Sequence, residues 1–304
     1  MRTATEPASI HQPRHYREVN IQPTWHPILQ RPAPSRGPLK QVRYPVPKPN
    51  GKRNPVTVCI AAICQEISDP KIVLCADTKL DGSYAGSSDG NRKIGKLAFG
   101  WVDMMSGDWV RAKELHGWIK SEFLANGAPS DRGRVFELLM NAGNSFIGSP
   151  MYRKDAAVDI LACGFIGAVP VISGVSIGST TKPSVYFNQS FATVGSGGAI
   201  AAVFLNARDC TPRDSLKQAL YVVYEAKKYS EKNVGVGTDT KLIVISPPVV
   251  GSGPEDVSAV SVGFEGLRQL EQARGQYGLQ YIWELPDPLN PVAPPDPPPP
   301  TADQ

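Results

Sequence analysis

Val56-Thr-Val-Cys-Ile-Ala-Ala-Ile-Cys64, the turn-like Gln65-Glu-Ile-Ser-Asp-Pro70 and the second apolar run Lys71-Ile-Val-Leu-Cys-Ala76 decide how this chain folds. Runs this short, bounded by turn residues, read as a pair of strands. A second pair is expected over residues 93–97 and 98–105. At Trp109 the period changes: Val110, Leu115, Trp118, Ile119 and Phe123 recur at helical spacing, with Asp108 or Ser106 as cap and Gly127-Ala-Pro129-Ser130 as the stop. Residues 134–146 repeat that pattern, with Val135, Leu138, Leu139 and Ala142 on one face. Strand character returns over 157–166, 169–177, 184–187 and 191–194. Helices are expected over 198–207 and 215–229, a strand over 241–245 and a short helix over 264–274. Strands, two helices, strands, two helices and a strand form a segregated order. It predicts an α+β fold in which two packed sheets carry helices on both outer faces.

The chain has 304 residues, 41% of them hydrophobic and 20% charged, enough to bury one large core. No window approaches the roughly 18 uninterrupted apolar residues of a membrane span, so no membrane association is expected. Charge is uneven. Before Thr57 the sequence holds ten basic residues against Glu6 and Glu18, a balance of +8, so the remainder carries −4 of the net +4. A nucleic-acid partner would have only that leader to bind, and none is expected for the globular part. Most of the 29 prolines crowd residues 7–55 and 286–300. Proline removes backbone donors and fixes φ. Residues 1–55 are therefore expected to be a disordered basic leader, 56–282 the folded domain and 283–304 a disordered tail. The leader lacks the apolar run of a secretory signal, and its prolines spoil the amphipathic helix of a transit peptide. A propeptide, a solvated arm and an upstream translation start remain as its readings.

Cys59, Cys64, Cys75 and Cys163 sit inside apolar runs without metal-type spacing, and with Cys210 they read as free thiols of a reducing, cytoplasmic compartment. His11, His15 and His26 lie in the leader, leaving His116 alone in the globular part. A multi-histidine metal site is thereby excluded there. A Ser-His-Asp triad would have to use His116, which reads instead as a half-buried helix residue. No metal or organic cofactor is expected.

Chemistry concentrates elsewhere. Thr57, Asp77-Thr-Lys79 and Arg92-Lys93-Ile94 can bring a hydroxyl, a carboxylate and an ammonium to one point. In order along the chain stand Thr57, Asp77-x-Lys79, Lys93-Ile-x-Lys-Leu97, Met105-Ser-Gly107-Asp108 and Thr193-Val-Gly-Ser196-Gly-Gly198. This series resembles the proteasome β-type family of N-terminal-nucleophile (Ntn) hydrolases over residues 57–245, with the bacterial two-ring peptidases and their ancestral-β-like relatives the nearest pattern. The resemblance implies a four-layer αββα sandwich and a threonine-type peptidase acting on peptides or unfolded proteins. It further implies a homo-oligomeric ring, with an unfoldase as partner. The helix surfaces bearing Trp109, Trp118 or Tyr221 are places to look for subunit contacts.

The residue types suit that activity. A threonine hydroxyl is a weak nucleophile until a base takes its proton. With no usable histidine, the threonine's own α-amine is the candidate base, because its ordinary pKa of about 7.7–8 lies near working pH. Lys93 would lower it by charge repulsion, and Asp77 would hold Lys93 in place. By resemblance, the Gly107 N–H serves the oxyanion and Ser196 helps move the amine's proton. Each residue also has a plainer reading: Thr57 as a strand residue, Asp77 with Lys79 or Lys93 as an ion pair, and Ser106-Gly107-Asp108 as a helix cap. Gly195-Ser-Gly-Gly198 as a phosphate loop lacks the Lys-Ser/Thr such loops carry.

The chemistry needs Thr57 at a chain start, and 56 residues precede it. Self-processed members of the family carry glycine before the nucleophile, where this chain has Val56 after Pro55. Initiation at Val56 followed by its removal is an alternative route to a free Thr57. A register two residues earlier would put Pro55 at the nucleophile position, but Cys59-Ile-Ala61 favours Thr57. The family's second carboxylate has no clean match at Glu231-Lys-Asn-Val-Gly235-Val-Gly237, where Glu231 or Asp239 are the substitutes. The alternative function is a catalytically inactive ring or scaffold subunit.

Overall fold

The computed structural model describes residues 57–65, 67, 69–78, 93–150, 152, 157–178, 182–233, 236–248, 258–276 and 288–290. The chain divides into Met1–Gly51 and Lys52–Gln304, and every described residue lies in the second unit. The expectations about the leader, Val56, Lys79, Arg92 and most of the tail fall outside the described residues.

In chain order the elements are β1 (Cys59–Cys64), β2 (Lys71–Asp77), β3 (Ile94–Lys96), β4 (Val102–Gly107), α1 (Trp109–Asn126) and α2 (Arg132–Ile147). Then come β5 (Val158–Ile166), β6 (Val169–Ile177), β7 (Ser184–Asn188), β8 (Phe191–Val194), α3 (Gly198–Ala207) and α4 (Leu216–Ser230). β9 (Thr240–Ile245), β10 (Ala259–Ser261) and α5 (Phe264–Gln276) complete the described part. One sheet has the order β10-β9-β2-β1-β8 and the other β3-β4-β5-β6-β7, and all pairings are antiparallel. Two antiparallel sheets and five helices make a mixed fold of the α+β kind.

Three apolar clusters hold these elements together. Ile60, Ala62 and Cys64 of β1 meet Leu220, Val223 and Ala226 of α4. Cys59, Ala61 and Ile63, on the opposite face of the same strand, meet Met104 and Leu161 of the second sheet. Both faces of β1 are thus buried, which is why its sequence is apolar throughout instead of alternating. The third cluster packs Leu115, Ile119 and Phe123 of α1 and Leu138, Leu139 and Phe146 of α2 on Ile160, Ala162 and Val175.

The helix ends follow from local chemistry. Asp108, of the two caps expected, accepts from the Arg111 N–H at 3.2 Å, Asp131 from Arg134 at 2.9 Å and Ser215 from Gln218 at 3.2 Å. Each satisfies a backbone donor that the first helical turn leaves free.

Four details differ from the sequence expectation. Spacing alone groups Val110 and Trp118 with the buried stripe of α1, whereas each is 39% exposed and the inward face is Ala112, Leu115, Ile119 and Phe123. Tyr221 is fully buried in the α4 core, so it is a packing residue and offers no contact surface. β10 has no counterpart in the expectation. Its three exposed residues lack any apolar period and pair with β9 through the backbone alone. Within the proline-rich tail, Leu289 packs on the α4–α5 core and Pro288 is buried.

Candidate active site

Strand pairing builds the site. In the β1–β2 ladder Cys59 faces Ala76, so the next positions, Val58 and Asp77, lie side by side. The Asp77 N–H donates to the Val58 carbonyl at 3.3 Å, and the Val58 N–H donates to Asp77 Oδ1 at 3.0 Å. The same Oδ1 accepts from the Thr57 hydroxyl at 2.7 Å and from Lys93 Nζ at 2.8 Å. Lys93 Nζ also donates to Thr57 Oγ1. Lys93 stands just before β3, where its carbonyl accepts from the Met105 N–H at 2.9 Å. Its ammonium therefore reaches from one sheet to the other. Thr57 is 4% exposed, Asp77 1% and Lys93 7%.

The other side of Thr57 is formed by the turn after β8, which pairs with β1 through Cys59 and Val194. The Thr57 N–H donates to Ser196 Oγ at 3.1 Å, and the Thr57 carbonyl accepts from the Gly197 N–H at 3.0 Å. Gly195 has φ +91°, and a Cβ there would lie 2.4 Å from the Thr57 carbonyl oxygen, so only glycine lets the turn close on the strand. Among the residues expected from sequence, Thr57, Asp77, Lys93 and Ser196 come together in one hydrogen-bonded cluster.

Gly107 stands two residues after Met105 in β4, and Met105 is joined to Lys93 through its N–H and to Cys59 through its carbonyl. Gly107 ends β4 opposite Val158 with φ +97°, and a Cβ would lie 2.1 Å from the Ala157 carbonyl oxygen. No hydrogen bond among the described residues joins it to Thr57, Asp77, Lys93 or Ser196. Among the described residues, no hydrogen bond joins the carboxylate of Glu231 or of Asp239 to the cluster, and Asp239 Oδ2 accepts from the Thr78 hydroxyl at 3.5 Å. Glu231 pairs with Lys227 and Lys228, and the Asp239 carbonyl accepts from the Thr78 N–H at 3.4 Å. The same stretch contributes two polar groups that the sequence did not reveal. Gly237 N–H donates to Asp77 Oδ2 at 3.1 Å, and Asn233 Nδ2 donates to the Ser196 carbonyl at 2.8 Å. The glycines of Asn233-Val-Gly235-Val-Gly237 were the available signal, since glycine permits close backbone approach.

Two competing nucleophile systems can be judged on geometry. Cys59 Sγ donates to the Met105 carbonyl at 3.5 Å, and burial pushes its thiol well above its ordinary value, an effect only partly offset by the Lys93 charge. It is therefore a packed, unreactive thiol. His116 Nδ1 lies 2.8 Å from Oδ2 of the fully buried Asp103, and no described serine hydroxyl bonds the ring. The pair lacks a nucleophile. Among the described residues, no group of three or more His, Cys, Asp or Glu side chains is arranged to hold a metal ion, and no helix is long and apolar enough to cross a membrane.

In the 304-residue chain the Thr57 nitrogen is an amide that follows Val56. It has no lone pair for a proton, and it acts as a donor to Ser196. Asp77 satisfies three donors on one oxygen and one on the other, which fixes the positions of the hydroxyl and the ammonium. Neither a comparison with protein-family models nor one with curated proteins finds a match.

Proposed function

We propose that this chain is a proteasome-like N-terminal-nucleophile hydrolase, a threonine-type peptidase that cleaves amide bonds once the α-amine of Thr57 is free. The reading takes its two sheets and outer helices as a four-layer αββα sandwich. The observation that carries it is the Thr57 hydroxyl bonded at once to Lys93 Nζ and Asp77 Oδ1, with Ser196 Oγ on the Thr57 nitrogen.

The freed amine takes the hydroxyl proton as Thr57 Oγ1 attacks the scissile carbonyl carbon, and the carbonyl π electrons move to oxygen. The Gly107 N–H is assigned to the resulting oxyanion. Collapse of the tetrahedral species breaks the C–N bond, and the ammonium returns its proton to the departing amine. A Thr57 ester remains. Water, deprotonated by the same amine, hydrolyses that ester and restores the hydroxyl. Lys93 keeps the amine basic but unprotonated near neutral pH by repelling its charged form, and Asp77 holds Lys93 on target. Substrates of this kind are peptides or unfolded chains. A ring of identical subunits, an unfoldase partner and a cytoplasmic location belong to the same proposal.

The burial of Thr57 and its amide nitrogen support a blocked precursor, and they equally suit an inactive ring or scaffold subunit. One experiment separates the two. A chain beginning at Thr57, released from a cleavable fusion, is exposed to a peptide electrophile selective for N-terminal threonine and weighed intact. One adduct per chain on Thr57, absent in Thr57→Ala and in the 304-residue form, supports the peptidase. A folded, unlabelled protein that leaves fluorogenic peptides intact supports the scaffold.

A further inference from the structure

Lys227 is a fully buried lysine in α4 that the proposed chemistry does not use. A lysine is almost never placed there without a strong reason. Burial lowers its pKa, with the Glu231 hydrogen bond opposing that effect. All three ammonium protons are engaged: one on Glu231 Oε1, one on the Gly237 carbonyl at 2.9 Å and one on the Thr238 carbonyl at 2.8 Å. Gly237 is the residue whose N–H donates to Asp77 Oδ2. The side chain therefore grips both carbonyls around the peptide unit that leads into Thr238, directly behind the donor that orients Asp77.

Neighbouring residues of the same helix end make parallel contacts. The Ser230 hydroxyl shares its one proton between the Ala226 carbonyl at 2.9 Å and the Gly197 carbonyl at 3.1 Å, and Asn233 donates to the Ser196 carbonyl at 2.8 Å. The end of α4 thus braces both backbone segments that surround Thr57, one through Ser230 and Asn233 and the other through Lys227. Glu231 supplies the countercharge on the helix side, one turn beyond Lys227.

We infer that Lys227 is a positioning residue for the Thr57 site: its ammonium fixes the carbonyls of Gly237 and Thr238 so that the Gly237 N–H holds Asp77, and through Asp77 the hydroxyl and Lys93. The inference takes the Thr57 cluster as the reacting centre and so rests on the proposed function, but its structural half can be tested without any activity.

The test uses the 304-residue chain with Lys227→Met, which keeps the side-chain length and removes the donors. Two signals are followed by NMR, amide hydrogen exchange at Gly237 and the 13Cγ resonance of Asp77. Val222→Ala, a buried change on the same helix, is the control for simple loss of stability. In K227M the Gly237 amide is expected to exchange at least about tenfold faster than in V222A, and the Asp77 resonance is expected to move. Glu231→Gln removes the countercharge of the buried ammonium but leaves its two carbonyl contacts, so it should disturb both signals less than K227M does. If K227M does not fold, Lys227→Gln is read in the same way. Equal behaviour of the lysine variant and V222A at both positions would overturn the inference. In the form beginning at Thr57, K227M should slow the adduct-forming step about tenfold or more while leaving initial binding of the electrophile unchanged. If wild type forms no adduct, the peptidase reading fails and the NMR outcome still decides the role of Lys227.

Discussion

Replacing Asp77 with asparagine should be the most damaging conservative change in this protein. The side chain keeps its shape but loses its charge, and one of its two positions becomes a donor. If the amide nitrogen takes the Oδ1 site it faces three donors, Thr57 Oγ1, Val58 N and Lys93 Nζ. Turned over, it faces only the Gly237 N–H, so that orientation is favoured and one donor is orphaned. The larger cost is electrostatic. The side chains of Lys93 and Asp77 are 6% and 0% exposed, so neutralising one leaves a buried ammonium without its countercharge. Removing one partner of such a pair costs about 3–5 kcal/mol. Lys93→Met is expected to cost less, about 1–3 kcal/mol, because Asp77 retains the Thr57, Val58 and Gly237 donors. The double variant removes both charges, and its loss should fall short of the sum of the single losses by at least about 1 kcal/mol. Equilibrium denaturation of the full chain in guanidinium chloride, with unchanged m-values, measures all three. A D77N variant within about 0.5 kcal/mol of wild type, or strictly additive single changes, would refute the view of Asp77 as a buried charge partner.

Gly195→Ala should lower stability by roughly 1–2 kcal/mol from the left-handed backbone alone, and further through the clash with the Thr57 carbonyl. Thermal unfolding checks this against Gly148→Ala, at φ −75° with no contact nearer than 3.5 Å, which should cost under about 0.5 kcal/mol. Phe123→Ala, at a fully buried ring 5.4 Å from the centroid of Trp101, should cost about 3–5 kcal/mol, while Val110→Ala on the outward face should cost under about 0.5 kcal/mol. Near-equal losses would overturn the assigned facing of α1. Burial pushes the thiols of Cys64, Cys75 and Cys210 from 9.0 up to about 12. The unfolded chain then releases these protons first, so their stabilising effect is complete below pH 9 and is lost as pH rises from 9 towards about 12. Urea titrations across that window should show a shallower decline for Cys75→Ala than for wild type.

Much of the fold is legible in the sequence because its signals are local. The doubly buried β1 is written as an unbroken apolar run, and α2 as an apolar stripe of Val135, Leu138, Leu139 and Ala142. What is not legible depends on partners far along the chain. Val110 and Trp118 satisfy the spacing of α1, yet the face that packs on the sheet is that of Ala112, Leu115, Ile119 and Phe123. β10 exists only because the β9 edge is available to pair with it. The same division runs through the candidate site. Thr57 and Asp77 are linked by one hairpin, so their meeting follows from the pairing of two adjacent strands. The Gly237 donor lies 160 residues from Asp77, and its placement depends on α4 and a buried lysine that no periodicity marks. Asp103 and His116 are a similar case, a sheet residue and a helix residue joined only by tertiary packing.

The Lys93–Asp77 contact has a consequence for assembly of the molecule. Asp77 closes a strand of one sheet and Lys93 opens a strand of the other, so their union acts as a rivet between two separately hydrogen-bonded halves. A nascent or partly melted chain with only one half in place cannot display the threonine, carboxylate and ammonium together. The three groups therefore meet only when both halves are in place, and in the 304-residue chain the Thr57 nitrogen is still an amide when they do.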